Sequence, residues 1–167
     1  LENHDEQRIA SPDFASNADK AKPAMVVSAT ISTAPTMIYF GQELGEDGSE
    51  NAGFGTASRT SIFDYIGVPS IQRWVNDKKF DGGQSTKEEL VLRDFYKRLL
   101  NFTISSDALM GEYQDIHQYN RENTENYNSK LLSFVRYSND EKLIVISNFD
   151  SEKSNEFTLQ IDRKSVV

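Results

Sequence analysis

Ala34-Pro35-Thr36-Met37-Ile38-Tyr39-Phe40-Gly41-Gln42-Glu43-Leu44-Gly45 is the stretch on which the reading of this chain turns. A proline, a short run rich in apolar and aromatic residues and then a glycine predict a buried parallel strand over residues 36–40. The residues before it predict a helix. Ser16 or Asn17 is the cap, and Pro23 falls in the first turns, where a missing N–H matters least. Ala24, Met25, Val27 and Ile31 make that helix apolar on most faces. Loop, helix and strand in this order are half of an alternating α/β pattern. Polar residues just past a parallel strand are where such folds keep their chemistry, which makes Glu43 a candidate.

Towards the N-terminus the chain opens on Leu1-Glu2-Asn3-His4-Asp5-Glu6-Gln7-Arg8. A His beside an Asp, with an Arg three residues on, suits a polar pocket, yet no strand precedes it. The same residues fit a solvated tail, because chain ends are commonly loosely held. Arg8 fits a salt bridge as well as a ligand contact.

Towards the C-terminus, residues 46–59 read as a long solvated loop, acidic at first, whose spacing fits no EF-hand. Residues 69–75 predict a short helix with Pro69 at its start. Trp74, with Phe63 and Tyr65, reads as core, with a sugar-stacking platform as the alternative. Ser85-Thr86-Lys87-Glu88 is a capping-box pattern. It opens a helix to about Leu100, with Leu92, Phe95, Tyr96, Leu99 and Leu100 at helical spacing.

The character changes near Thr103. Residues 112–118, 131–137, 143–148 and 157–161 are strand-length segments. Phe157, Leu159 and Ile161 alternate with Thr158 and Gln160, as in a sheet with one wet side. Ser138-Asn139-Asp140-Glu141 is hairpin-turn chemistry, and residues 120–128 form a polar connection. His117 falls on a strand in this reading. The whole is an antiparallel β module.

Composition narrows the function classes. The 167 residues hold 26 Asp and Glu against 18 Lys and Arg, a net charge of −8. That argues against a nucleic-acid partner, which needs a basic face. The chain has no cysteine, so no disulfide framework and no thiol chemistry. The longest apolar run, residues 24–31, is broken by Ser28 and Thr30, which argues against a membrane span. Asn101-Phe102-Thr103 matches a glycosylation sequon, a pattern common by chance. None of this fixes a compartment.

Three separated blocks, in order, resemble the α-amylase family, glycoside hydrolase family 13. ENHDEQR resembles the family segment at the end of the seventh barrel strand. APTMIYFGQELG resembles the eighth strand, with Thr33 where the family has Gly and Phe40 where a second Tyr is common. RDFYKRLL, SDALMGEY and LLSFVRYSNDEKLIVISNF resemble the passage from the last barrel helix into a C-terminal β-sandwich.

The resemblance implies an α+β chain. Residues 1–103 would be the end of a (β/α)₈ barrel, its last two strand–helix units. Residues 104–167 would be an antiparallel Greek-key β-sandwich, incomplete as it stands. It also implies a retaining glycosidase acting on α-1,4-glucans such as starch or maltodextrin. Such a mechanism needs two carboxyl groups about 5–5.5 Å apart, and by resemblance both lie upstream of Leu1. This chain is then expected to be the C-terminal part of an enzyme and inactive by itself. Asp5 aligns with the third family carboxylate, the transition-state stabiliser. His4 and Arg8 align with substrate-binding positions, and Glu43 would support the pocket. No cofactor or metal is expected in this part, although family members often bind calcium further upstream. Unpaired barrel edges would favour self-association. The alternatives are a non-catalytic carbohydrate-binding or interaction module built on an amylase fold, and a transglycosidase or isomerase of the same family.

Overall fold

The computed structural model describes residues 1–49, 60 and 67–161. It is a mixed helical and sheet structure, in keeping with the α+β class. Four α-helices, three short 3₁₀ turns and one three-stranded antiparallel sheet make up the regular elements among the described residues. The sheet is open, so a barrel and a Greek-key sandwich both go beyond what the described residues form. The chain divides into two compact units, Leu1–Lys22 with Met37–Leu100, and Pro23–Thr36 with Asn101–Val167.

Asn17 caps the first helical stretch as its sequence suggests. Its side chain accepts from the Asp19 N–H at 2.8 Å and starts a 3₁₀ turn, Ala18–Ala21. That turn continues into helix α1, Lys22–Thr30, with Pro23 at its second position. Met25, Ala29 and Thr30 are buried, and the Thr30 hydroxyl donates back to the Val26 carbonyl at 2.7 Å.

Residues 36–40 are not a strand. No ladder forms here, and the backbone of Tyr39 and Phe40 is taken up by side chains and by the turn that follows. The Tyr39 N–H donates to Gln42 Oε1 at 3.1 Å, and the Phe40 carbonyl accepts from Arg8. Gly41 and Gly45, both at positive φ, bracket a short 3₁₀ turn, Gln42–Leu44.

Helix α2, Pro69–Val75, begins on its proline. Trp74 is half-buried, edge-on to Phe80 and under the Arg93 guanidinium. Phe63 and Tyr65 lie outside the described residues. Helix α3, Lys87–Ser105, is longer than its sequence suggests. Its capping box is one residue later than the pattern at Ser85. The Thr86 N–H donates to Glu89 Oε2 at 2.8 Å, and the Glu89 N–H to Thr86 Oγ1 at 3.2 Å. The first unit buries Ala21, Tyr39, Leu44, Leu92 and Tyr96.

In the second unit, strands β1 (Glu112–Asp115), β2 (Leu131–Tyr137) and β3 (Lys142–Asn148) pair in the order β1-β2-β3. Ser138 turns the hairpin, its hydroxyl accepting from the N–H groups of Asp140 and Glu141. Phe134 and Val135 are buried on this sheet, and Ala108, Leu109, Ile116 and Val145 are buried as well.

Two expected strand segments differ. Residues 112–118 are a strand only to Asp115. The Asp115 carboxylate accepts the His117 N–H at 2.9 Å and starts helix α4, His117–Asn123. His117 is therefore on a helix, and part of the expected polar connection is helical. Residues 157–160 alternate between half-buried and exposed, Ile161 is exposed, and the segment joins no ladder. A side chain, Asn120, takes up the backbone of Gln160.

Arg136, 1% exposed, is the polar centre of this unit. Its guanidinium donates to the carbonyls of Leu109 (2.7 Å), Gly111 (2.9 Å), Thr30 (3.0 Å) and Glu112 (3.2 Å). One side chain so ties α1, the turn Asp107–Met110 and β1 to β2.

Candidate functional site

The site is built on a loop shaped by Asn3. Its side-chain oxygen accepts the N–H groups of Asp5 (2.8 Å) and Glu6 (3.0 Å). This Asx turn throws His4 and Asp5 outward. His4 Nε2 and Asp5 Oδ2 stand 3.4 Å apart, with side chains 49% and 76% exposed. An exposed carboxylate beside an imidazole can accept from ligand hydroxyls while the ring donates to the same ligand.

Beneath the loop, Arg8 is completely buried. Its Nη1 donates to Glu2 Oε2 at 2.7 Å, its Nη2 to the Phe40 carbonyl at 2.7 Å and its Nε to Thr60 Oγ1 at 3.0 Å. The guanidinium carbon also lies 4.4 Å from the Tyr39 ring centroid and 5.1 Å from that of Phe40. Glu2 Oε1 takes the Ile9 N–H at 2.8 Å, so both carboxylate oxygens are engaged. Arg8 thereby brings together residues 2–9 and 39–40 of the first unit, two of the stretches singled out in the sequence.

Glu43 sits half-buried in the turn Gln42–Leu44. Its neighbours make the stronger contacts. Gln42 Nε2 donates to the Tyr96 hydroxyl at 3.1 Å. Burial pushes the Tyr96 phenol up, Gln42 pulls it back, and Glu2 and Glu43 add to the rise. Glu46 is buried and accepts from the Ser70 hydroxyl (2.6 Å), the Ser70 N–H (3.3 Å) and the Gly48 N–H (3.0 Å). Glu2, Gln42 and Glu46 are the supporting residues that the sequence reading passed over. The signal was weak: Gln42 and Glu46 each follow a glycine and Glu2 lies in a run of polar residues, common surface patterns.

Asp5, His4 and Arg8 thus divide by place. The first two face solvent and the third lies under the loop that carries them. Among the described residues, no group of three or more His, Asp or Glu is arranged to hold a metal ion, and no helix is long and apolar enough to cross a membrane. No family model, curated protein or solved structure matches this chain.

Proposed function

We propose that this chain is part of an α-amylase-type retaining glycosidase acting on α-1,4-glucans. In this reading Asp5 binds sugar hydroxyls at the scissile residue and stabilises the oxocarbenium-like transition state. His4 donates to the same sugar. Arg8 keeps the loop in place from below and Glu43 lies in the supporting turn. The nucleophile and the acid/base belong to sequence outside these residues, because one carboxylate cannot run a double displacement.

The observation that carries this reading is the Arg8 to Phe40 hydrogen bond. The resemblance rests on blocks separated in sequence, and a functional pocket requires the first two to meet. Arg8 joins them, and it does so while leaving His4 and Asp5 in solvent.

The test uses the natural gene product that contains this sequence. It should hydrolyse maltooligosaccharides with retention of the α-anomer, read by NMR of the first product. Asp5→Asn should lower kcat by about 100-fold or more, as loss of several kcal/mol of transition-state stabilisation requires. The 167-residue chain alone should show no turnover. A gene product without glycosidase activity, or an Asp5→Asn enzyme with full activity, sinks the reading.

A further inference from the structure

The second unit contains a cleft of about 520 Å³, in the range of small-molecule sites. It runs between residues 123–126 on one side and residues 156–160 on the other. Asn120, fully buried, ties the two walls. Its Oδ1 accepts from the Gln160 N–H (2.8 Å) and the Thr124 hydroxyl (2.7 Å), and its Nδ2 donates to the Gln160 carbonyl (2.8 Å). Gln160 Nε2 adds a bond to the Asn123 carbonyl at 3.1 Å.

Among its described lining residues one, Phe157, is aromatic. Tyr127 meets it edge-on, with centroids 5.2 Å apart. Tyr127 is itself fixed, its hydroxyl lying 2.9 Å from both His117 Nδ1 and Ser133 Oγ. The Phe157 ring therefore rests against a tyrosine that is itself held by hydrogen bonds. Around it stand Glu125, Asn126, Glu156 and Thr158, whose side chains make no hydrogen bond or ion pair with another described residue.

This inventory selects a ligand chemistry. Among the described lining residues, two are carboxylates and none is basic, which disfavours an anion. Several unengaged polar side chains around a single ring disfavour an apolar molecule. A sugar ring offers a C–H face to Phe157 and hydroxyls to the amide and carboxylates. We propose that the cleft is a binding site for a neutral oligosaccharide. That the sugar is a maltooligosaccharide rests on the function proposed above.

The experiment is calorimetric titration of the 167-residue chain with maltoheptaose, xylohexaose, spermidine and calcium. Phe157→Ala removes the ring. Asn126→Gly removes a lining side chain at a backbone position of positive φ that glycine adopts freely, so it keeps the test informative if Phe157→Ala does not fold. Maltoheptaose should bind, about tenfold or more weaker in each cleft variant. Xylohexaose binding with the same dependence, without maltoheptaose binding, supports the cleft and removes the α-glucan reading. Saccharide binding indifferent to both cleft variants overturns the proposal. So does the absence of saccharide binding, with or without binding of spermidine or calcium.

Discussion

Glu2 and Arg8 form an ion pair of 2.7 Å in which the side chains are 3% and 0% exposed. A pair this well shielded is far more costly to break than to replace, since the remaining charge stays buried. Glu2→Ala is expected to destabilise the first unit by about 3–5 kcal/mol, read as a lower urea midpoint. Glu2→Gln, which keeps an acceptor for Arg8, should lose less. Equal losses in the two variants would mean that the charge on Glu2, and not its acceptor geometry, carries the effect.

The exposed residues above that pair should behave in the opposite way. Asp5→Ala and His4→Ala remove side chains that project into solvent. Each should change stability by no more than about 0.5 kcal/mol. Thermal melts of both variants check this. A large loss in Asp5→Ala would assign it a structural role and weaken its place in substrate binding.

The sequence was most legible where local chemistry decides structure. The Asn17 cap, the proline start of α2, the Ser138 turn and strands β2 and β3 all follow from nearby residues. Residues 36–40 and 157–161 went wrong for one shared reason. The apolar run of the first and the apolar alternation of the second both describe burial, and burial does not say which group takes the backbone hydrogen bonds. Arg8 and Gln42 do so at residues 39–40, and Asn120 does so at Gln160. These partners come from distant or unremarkable polar residues, so periodicity carries no trace of them. The candidate site was legible in the same partial way. His4 and Asp5 stood out by type, whereas Glu2 and Glu46 gain meaning only once burial is known.

Acid should weaken the second unit through Glu141. The Ala108 N–H and the Ser106 hydroxyl hold its carboxyl below its usual range. Asp150 is lowered similarly by the Glu152 N–H and Lys130. The folded pKa is depressed, so the unfolded chain takes up protons first. The stabilisation is present above the unfolded value of about 4 and is lost as pH falls through the lower folded value. Glu141→Gln should be less stable at pH 7 and show a shallower loss between about pH 4 and pH 2. Urea midpoints across that range test it, and parallel curves for the two proteins would remove Glu141 from the account.

Asn120 acts where a strand would otherwise stand, exchanging a donor and an acceptor with Gln160, both at 2.8 Å. Its Nδ2 also donates to the Ile116 carbonyl at 2.8 Å. Asn120→Asp keeps the shape but aims a carboxylate oxygen at two carbonyls in a fully buried position. The loss at pH 7 should be about 3 kcal/mol or more, as for an uncompensated buried charge. Repulsion and burial would raise the folded pKa of the new carboxyl. Its protonated form restores one donor, so stability is retained below the unfolded value of about 4 and lost as pH rises through the folded one. The variant should therefore approach the parent protein as pH falls, and amide exchange at Gln160 should speed up as pH rises beyond the intrinsic trend. A constant stability gap at every pH would mean that Asn120 fills space there without holding the Gln160 backbone.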